Sequence, residues 1–140
     1  MSLVKHGSCL CGAVTLSVSL ENASVDACHC SMCRKWGGGP LLSVVCAEPV
    51  TFTAGQPVFY ESSAWAERGF CGTCGTHLLY RLKNGKFDSL SVGVLEGDTD
   101  WVFDLQVYID EKPSYYCFAN QTKTMTRAEV EALFSASTEG

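Results

Sequence analysis

Residues 7–14 read GSCLCGAV, with two cysteines one residue apart and a glycine directly after them. Similar spacing recurs in CHCSMC at residues 28–33 and in CGTCG at residues 71–75. These three clusters hold seven of the nine cysteines in the chain. Cysteines one or two residues apart can bind one metal ion from a single turn, but they rarely form an unstrained disulfide with each other. The spacing therefore predicts metal sites that join separate segments of the fold.

The number of clustered cysteines indicates how many metals are bound. A closed structural zinc site takes four protein ligands, whereas an open site takes three and keeps one position for an exchangeable ligand. Seven thiolates divide naturally into four plus three. We therefore expect two zinc ions, one of them reactive.

Composition sets the scale of the molecule. The chain has 140 residues, of which 46% are hydrophobic and 18% are charged, and its mean hydropathy is +0.09. That length suits one domain with a core of its own. Because no repeat, linker or low-complexity tract interrupts the sequence, we expect a single domain over residues 1–140.

Charge and hydropathy limit the partners and the compartment. A formal net charge of −5 gives no bulk attraction to phosphate backbones or anionic lipid, so we expect neither nucleic acid nor a membrane as a partner. The first residues lack the apolar run of a signal peptide, and no stretch approaches the roughly 18 apolar residues of a membrane span. We expect a cytoplasmic protein, because reducing conditions keep thiols free for metal.

Alternation of apolar and polar residues predicts that sheet accounts for most of the chain. The dipeptide Asn84-Gly85 favours a tight hairpin, because both residues tolerate positive φ. The first cysteine cluster precedes a predicted strand and the second CxxC pair precedes this hairpin. Strands are predicted at residues 14–20, 41–47, 50–53, 58–61, 78–82, 90–94 and 103–110.

The pattern becomes helical only near the C-terminus. Thr126 and Glu129 form a capping box, and Val130, Leu133 and Phe134 then share one helical face. The sequence therefore predicts a mainly β fold with a short C-terminal helix. Residues 37–39 are all glycine, and they favour either a mobile lid or a sharp loop after the second cluster.

Five motifs occur in a recognisable order along the chain. They are GxCxCGxV at residues 7–14, CHCxxCRKW at 28–36, FCxxCGTxLxY at 70–80, VGxLE at 92–96 and YIDEKPSYY at 108–116. In these motifs the chain resembles the family of glutathione-dependent formaldehyde-activating enzymes, which also includes centromere protein V. The resemblance extends over almost the whole predicted domain.

The resemblance implies a fold, a reaction and a set of ligands. The fold would be an Mss4-like zinc-binding β fold with one structural and one catalytic zinc. The reaction would be that of S-(hydroxymethyl)glutathione synthase, formally a carbon-sulfur lyase, acting on a glutathione-like thiol and an aldehyde. Some relatives carry a histidine where this chain has Gln106. The implied structural ligands are Cys9, Cys11, Cys71 and Cys74, and the implied catalytic ligands are Cys28, Cys30 and Cys33.

The chemistry of the two sites can also be argued from the residues. A four-thiolate zinc that joins turns some sixty residues apart would supply on the order of 10 kcal/mol of folding free energy. Glycines after each turn, Gly12 and Gly75, suit turns whose amides point at the sulfur atoms. A three-thiolate site suits a thiol substrate, which loses its proton when it binds the metal and becomes a nucleophile.

Four further residues are candidates for the reactive site. His29 could be a fourth zinc ligand, a proton shuttle that makes it catalytic, or a side chain turned outward. Arg34 and Lys35 could bind the carboxylates of a glutathione-like tripeptide, and plain solvated charge is the alternative. Trp36 could form a wall of the pocket or fill the core. The remaining cysteines, Cys46 and Cys117, lack metal-spaced neighbours and are expected to be buried.

Two other classes of function compete with an enzyme. A zinc-stabilised binding module without turnover is one, because fold does not dictate function. A zinc ribbon that contacts nucleic acid or a macromolecular complex is the other, and the acidic charge counts against it. The intact second cluster favours the enzyme. The sequence leaves homo-oligomer formation open.

Overall fold

The computed structural model of the protein describes residues 3–139, with side chains for residues 3–135. Residues 1, 2 and 140 of the predicted domain lie outside the described residues. The described chain is mainly β and ends in a helix, so this part of the prediction is confirmed. Its strands are β1 (Leu3–Ser8), β2 (Thr15–Leu20), β3 (Ser24–Cys28), β4 (Leu41–Val45), β5 (Thr51–Ala54), β6 (Val58–Tyr60), β7 (Ala66–Phe70), β8 (His77–Leu82), β9 (Asp88–Ser91), β10 (Val102–Val107) and β11 (Lys123–Met125), and its α-helices are α1 (Ser31–Gly37) and α2 (Arg127–Glu139).

The first of two compact units contains the chain up to Ala23 together with Ser43–Trp101. Its strands are antiparallel, in the orders β1-β2-β5 and β4-β9-β8-β7-β6. Leu16, Leu20 and Leu79 are at most 1% exposed and form part of its core. Turns at the ends of these strands carry the first and third cysteine clusters.

The second unit contains Ser24–Leu42 and the chain from Val102 onward. Here β10 lies between β3 and β11 and is parallel to both. Helix α1 follows β3 after two residues, and the second cysteine cluster runs from the end of β3 into this helix. Both units are built from two separate segments of sequence, and the single domain over residues 1–140 stays a prediction.

Several sequence predictions are confirmed in detail. In β2, Leu16, Val18 and Leu20 are at most 3% exposed, as the alternation requires. Strands β8 and β9 form a hairpin at the predicted place, but residues 83–87 connect them and only Gly85 of the dipeptide has positive φ, at 77°. Gly85 donates its N–H to Leu82 O at 3.0 Å.

Four strand predictions are too long. Those for 41–47 and 58–61 run past the ends of β4 and β6, at Val45 and Tyr60. Strand β10 ends at Val107 rather than residue 110, because Tyr108 adopts a left-handed conformation with φ 56° that cannot continue a ladder. A 3₁₀ turn over Ile109–Glu111 follows. Strand β9 likewise ends at Ser91, where Val92–Val94 form another 3₁₀ turn instead of the predicted strand.

The helices also differ in part from the prediction. The capping box of α2 is present, since Thr126 N donates to Glu129 Oε1 at 2.9 Å and Glu129 N donates to Thr126 Oγ1 at 3.3 Å. Val130 is buried, but Leu133 is 59% exposed and does not belong to the buried face. Helix α1, which the sequence did not predict, ends at Gly37, and the glycines that follow form the predicted bend, with Gly38 in a left-handed conformation at φ 84°. Neither helix, as far as the chain is described, is long and apolar enough to cross a membrane.

Candidate metal centres

The turn after β1 forms half of a four-sulfur cluster. Cys9 N donates to Val14 O at 3.0 Å, and Val14 N donates to Cys9 Sγ at 3.3 Å. This last hydrogen bond lowers the pKa of the Cys9 thiol, because the N–H stabilises the thiolate. Gly12 closes the turn with φ 81°, a conformation that glycine adopts without strain.

The turn between β7 and β8 repeats this design. Cys71 N donates to Thr76 O at 2.9 Å, and Gly75, with φ 80°, donates its N–H to Cys71 O at 2.8 Å. The Cys71 sulfur accepts from the backbone N–H groups of Thr73 at 3.4 Å and Cys74 at 3.5 Å. Both turns therefore direct backbone dipoles at their sulfur atoms, as the glycine positions predicted.

Thr76 connects the two turns through its hydroxyl group. Its Oγ1 accepts from Leu10 N at 3.0 Å and lies 3.1 Å from Cys74 Sγ. Hydrogen bonds from the Thr76 hydroxyl and the Thr76 backbone N–H lower the pKa of Cys74 to about 5. These hydrogen bonds favour the thiolate form of Cys74, which is the form that binds metal.

The four sulfur atoms converge on one point. Those of Cys9, Cys11, Cys71 and Cys74 lie within 4.8 Å of one another. Cys9 and Cys11 are 3.6 Å apart at sulfur, and Cys11 and Cys71 are 3.8 Å apart. A tetrahedron of thiolates at zinc–sulfur distances of about 2.3 Å has sulfur–sulfur edges of roughly 3.8 Å. The donor set is thus compatible with a closed zinc site.

The second cluster is built from one continuous segment. Cys28 is the last residue of β3, Cys30 is the N-cap of α1, and Cys33 lies in the first turn of that helix. Their sulfur atoms lie within 4.8 Å of one another. Cys30 Sγ caps α1 by accepting from Cys33 N at 3.3 Å, which orients two of the three sulfur atoms.

Crowding of the three thiols opposes their ionisation. The pKa of Cys28 is raised, first by hydrogen bonding to Cys30 and Cys33 and then by burial. Three thiolates this close repel one another unless a cation lies between them. The cluster is therefore compatible with a zinc ion that keeps one coordination position for another ligand.

His29 lies between two of these cysteines and is 0% exposed. Its Nδ1 lies 2.7 Å from the Tyr116 hydroxyl, and its Nε2 lies 2.8 Å from Gln106 Oε1. Burial lowers the pKa of His29 below its usual value, and the charges of Lys112 and Arg34 lower it further. The ring is thus not turned outward, and both of its nitrogens are engaged in hydrogen bonds rather than free to bind metal.

Sequence reasoning missed both hydrogen-bond partners of this ring, Gln106 and Tyr116. Gln106 is 8% exposed and donates through Nε2 to Thr122 Oγ1 at 3.0 Å. Alternation along residues 103–110 puts Gln106 on the polar face of the strand, but its side chain is buried between His29 and Thr122. Tyr116 is half-buried, and its ring centroid lies 5.5 Å from that of His29. The only sequence signal was the histidine that some relatives carry at position 106.

A carboxylate anchors the helix that carries Cys30 and Cys33. Glu111 Oε1 accepts from Ser31 N at 3.3 Å, at the first residue of α1. Its other oxygen lies 3.4 Å from Arg127 Nη1, at the start of α2. A negative charge at a helix N-terminus is favourable, so Glu111 stabilises α1 in the orientation that the cluster needs.

The candidate substrate contacts lie on α1. Arg34 is half-buried and donates through Nε to His29 O at 2.9 Å. Lys35 is exposed and Trp36 is half-buried. Their predicted contacts with a substrate stay predictions.

The two isolated cysteines differ from each other. Cys46 is half-buried, and burial raises its pKa to about 12, so it stays a neutral thiol. Cys117 is exposed, so its predicted burial is wrong. It follows Tyr116 in a segment without regular secondary structure, which presents few apolar surfaces to cover a side chain.

Comparison with known proteins agrees with these clusters. Residues 4–111 match the family described as glutathione-dependent formaldehyde-activating enzyme. The chain belongs to this family. The match includes all seven clustered cysteines, His29 and Gln106, whereas Tyr116 and Thr122 lie beyond it.

Two relatives support the assignment. A Schizosaccharomyces pombe protein named an uncharacterized lyase is 38% identical over 127 residues, which are 89% of this chain and 93% of the relative. A crystal structure of a Rhodobacter sphaeroides protein has a TM-score of 0.58 and 27% identity, and the match covers 68% of this chain and 91% of that one. The fold is thus shared with a solved structure.

Proposed function

We propose that the protein is a zinc-dependent carbon-sulfur lyase that forms or breaks a thiol-aldehyde adduct such as S-(hydroxymethyl)glutathione. The observation that carries this proposal is the convergence of three thiols, Cys28, Cys30 and Cys33, in a chain of the formaldehyde-activating family. Three protein ligands are one fewer than zinc takes in a closed site. The relative named a lyase supports the same class of reaction.

The two clusters have different proposed roles. Cys9, Cys11, Cys71 and Cys74 would hold a structural zinc, since they can fill all four positions. Cys28, Cys30 and Cys33 would hold the catalytic zinc. When bound there, zinc would accept a substrate thiol as its fourth ligand and lower the pKa of that thiol, so that it is a thiolate at neutral pH.

The reaction needs one bond change and one proton transfer. In the forming direction, the thiol sulfur donates an electron pair to the aldehyde carbon, and the carbonyl π pair moves to oxygen. The proton that the thiol loses ends on this oxygen and gives a hydroxyl group. In the reverse direction the carbon–sulfur bond breaks and the hydroxyl proton returns to sulfur, so no oxidant or reductant is required.

His29 is the proposed proton shuttle. Because its ring is fully buried, it can exchange a proton with the substrate only through a neighbouring group. The Tyr116 hydroxyl, 2.7 Å from Nδ1 and on a half-buried residue, is that group. In the cleavage direction Tyr116 takes the substrate proton as it gives its own to His29, and the proton later returns to sulfur.

Arg34, Lys35 and Trp36 are the proposed substrate contacts. Arg34 uses Nε to hold the His29 carbonyl, so its Nη groups are the ones that can bind a carboxylate. Lys35 is exposed on the same helix and can contribute a second positive charge. Trp36 would pack against the apolar part of the bound thiol.

Exchange NMR of formaldehyde with glutathione, run with and without the zinc-loaded protein, tests the proposed function. We expect the protein to accelerate exchange between free formaldehyde and the adduct. Cys28→Ser is the inactive control, because it removes one of the three sulfur ligands. Acceleration with another thiol but not with glutathione would change the substrate and leave the reaction class standing.

The same experiment separates an enzyme from a binding module. A non-catalytic zinc-stabilised module would hold its zinc ions and leave exchange unchanged for every thiol tested. Equal acceleration by wild type and Cys28→Ser would contradict the role of the three-cysteine cluster.

A further inference from the structure

Four side chains of the second unit form a continuous chain of hydrogen bonds. The Tyr116 hydroxyl lies 2.7 Å from His29 Nδ1, and His29 Nε2 lies 2.8 Å from Gln106 Oε1. Gln106 Nε2 then donates to Thr122 Oγ1 at 3.0 Å. The proposed function uses the first link only. The other two links determine which atom is the donor in each of these hydrogen bonds.

The Gln106 carboxamide sets this direction. Its oxygen can only accept, so the His29 nitrogen that faces it carries the proton. In the resting protein both bonded partners of the ring are neutral, so the fully buried imidazole holds a single proton there, and it holds a second one only for the moment of the proposed proton transfer. Nδ1 is therefore an acceptor, and the Tyr116 hydroxyl donates to it.

This direction determines what Tyr116 can offer to a substrate. A phenol has one O–H and two lone pairs. With its proton committed to His29, the oxygen can only accept a further hydrogen bond. Within the described side chains, His29 is the one partner of this hydroxyl, and Tyr116 is half-buried.

The position of Tyr116 relates this acceptor to the three-cysteine cluster. Its hydroxyl is bonded to the side chain of the residue between Cys28 and Cys30. Lys112 Nζ lies 5.3 Å from the centre of the Tyr116 ring and donates to Tyr116 O, which holds the segment in place. A substrate bound at the cluster would meet the oxygen of Tyr116 rather than the buried imidazole.

We propose that Tyr116 accepts a hydrogen bond from a hydroxyl group of the substrate, and that Gln106 is the positioning residue that sets this polarity through His29. The substrate class is then a thiol adduct that bears a hydroxyl, such as a hemithioacetal. A thioester, whose carbonyl can only accept, would be disfavoured. The nature of the substrate rests on the proposed function, but the direction of the hydrogen bonds from Tyr116 to Gln106 does not.

The polarity can be measured without turnover. In zinc-loaded protein carrying ¹⁵N-labelled histidine, long-range ¹H–¹⁵N spectra report which ring nitrogen is protonated. The three histidines are distinguished with His6→Gln and His77→Gln variants. We expect a neutral His29 with its proton on Nε2, and a proton on Nδ1 would overturn the proposal.

The positioning role of Gln106 is tested with a matched pair of variants. Gln106→Leu removes the acceptor, and we expect His29 to lose its preference for the Nε2 tautomer. Gln106→Glu keeps an acceptor at the same place, so Nε2 should stay protonated, and because it supplies a carboxylate it should also favour a second proton on Nδ1, which the neutral carboxamide does not. If Gln106→Leu does not fold, Thr122→Val removes the partner that orients the carboxamide, with Thr122→Ser as its control. An unchanged His29 tautomer in Gln106→Leu, or in Thr122→Val where Gln106→Leu does not fold, would contradict the role of Gln106.

Tyr116→Phe tests the acceptor itself. We expect kcat/KM for S-(hydroxymethyl)glutathione to fall about tenfold, since one hydrogen bond to substrate is lost. The Kd of S-methylglutathione, which has no hydroxyl, should stay within twofold. Equal weakening of both ligands, or an unchanged kcat/KM, would overturn the proposal. If wild type showed no turnover but kept the expected tautomer, the proposed function would fail and the polarity of the chain would stand.

Discussion

The two cysteine clusters use the same ligand atom in different kinds of scaffold. The four-cysteine cluster joins two turns that are remote in sequence, since Cys71 follows Cys11 by 60 positions. The three-cysteine cluster comes from a strand end and the first turn of the next helix. A metal in the first would close a long loop of chain, whereas a metal in the second would bridge residues that are already neighbours. Folding should therefore depend on the first cluster and chemistry on the second.

Cys71→Ser is expected to have the largest effect. Cys71 is 1% exposed, and its sulfur accepts two backbone N–H groups besides its role as a ligand. Loss of a four-thiolate zinc removes on the order of 10 kcal/mol, more than a small domain has in reserve. Circular dichroism should show a largely unfolded protein. A cooperative thermal transition like that of wild type would remove the difference between the two clusters.

Cys28→Ser should give the opposite result. We expect the variant to stay folded, to lose one of two zinc ions per chain and to lose activity by at least about a thousandfold. Metal analysis and exchange NMR are the measurements. Cys117→Ser, at an exposed cysteine outside both clusters, is the control that should keep both metals. A single zinc in wild type would count against a second metal site.

Sequence reasoning succeeded where the determining interactions are local. The clusters were recognised because ligand spacing within a turn is a property of a few adjacent residues. Burial of Leu16 and Val18 followed from alternation along one strand. The capping box at Thr126 was found for the same reason.

Features that depend on tertiary neighbours were missed. The burial of Gln106 depends on His29 and Thr122, which hydrogen bond to its side chain and are remote from it in sequence. The left-handed Tyr108 cannot be recognised because its side chain does not favour positive φ. Helix α1 was hidden by its length of 7 residues and by the glycines after it, although Cys30 caps its first turn through Cys33 N.

Thr76→Val tests the support around the four-cysteine cluster. The variant loses the hydroxyl that bonds Cys74 Sγ and accepts from Leu10 N, while its volume is nearly unchanged. Loss of such a partner typically weakens metal binding by about 10–100-fold. Competition with a chromogenic chelator at pH 7 measures this. Thr76→Ser keeps the hydroxyl and should behave like wild type, and equal zinc affinity in all three proteins would show that Thr76 is dispensable.

Cys46 gives the smallest predicted effect and contrasts an isolated thiol with the clustered ones. Burial raises its pKa from 9.0 to about 12, so the folded state favours the neutral thiol. Its contribution to stability is therefore complete below pH 9.0 and is lost as the pH rises toward about 12. Between pH 8 and pH 10, wild type should lose about 1 kcal/mol more than Cys46→Ala. Urea unfolding at both pH values checks this, and parallel losses in the two proteins would mean that Cys46 is not the group responsible.

Glu111 connects the C-terminal helix α2 to helix α1, which contains Cys33 of the three-cysteine cluster. One carboxylate oxygen accepts from the first residue of α1, and the other lies near Arg127, the first residue of α2. The family match ends at residue 111. A chain trimmed at that boundary would keep every sulfur ligand but would lose this tether, together with the tyrosine and threonine at the two ends of the buried relay. The seven clustered cysteines and the residues of the proposed proton relay therefore end at different points along the chain.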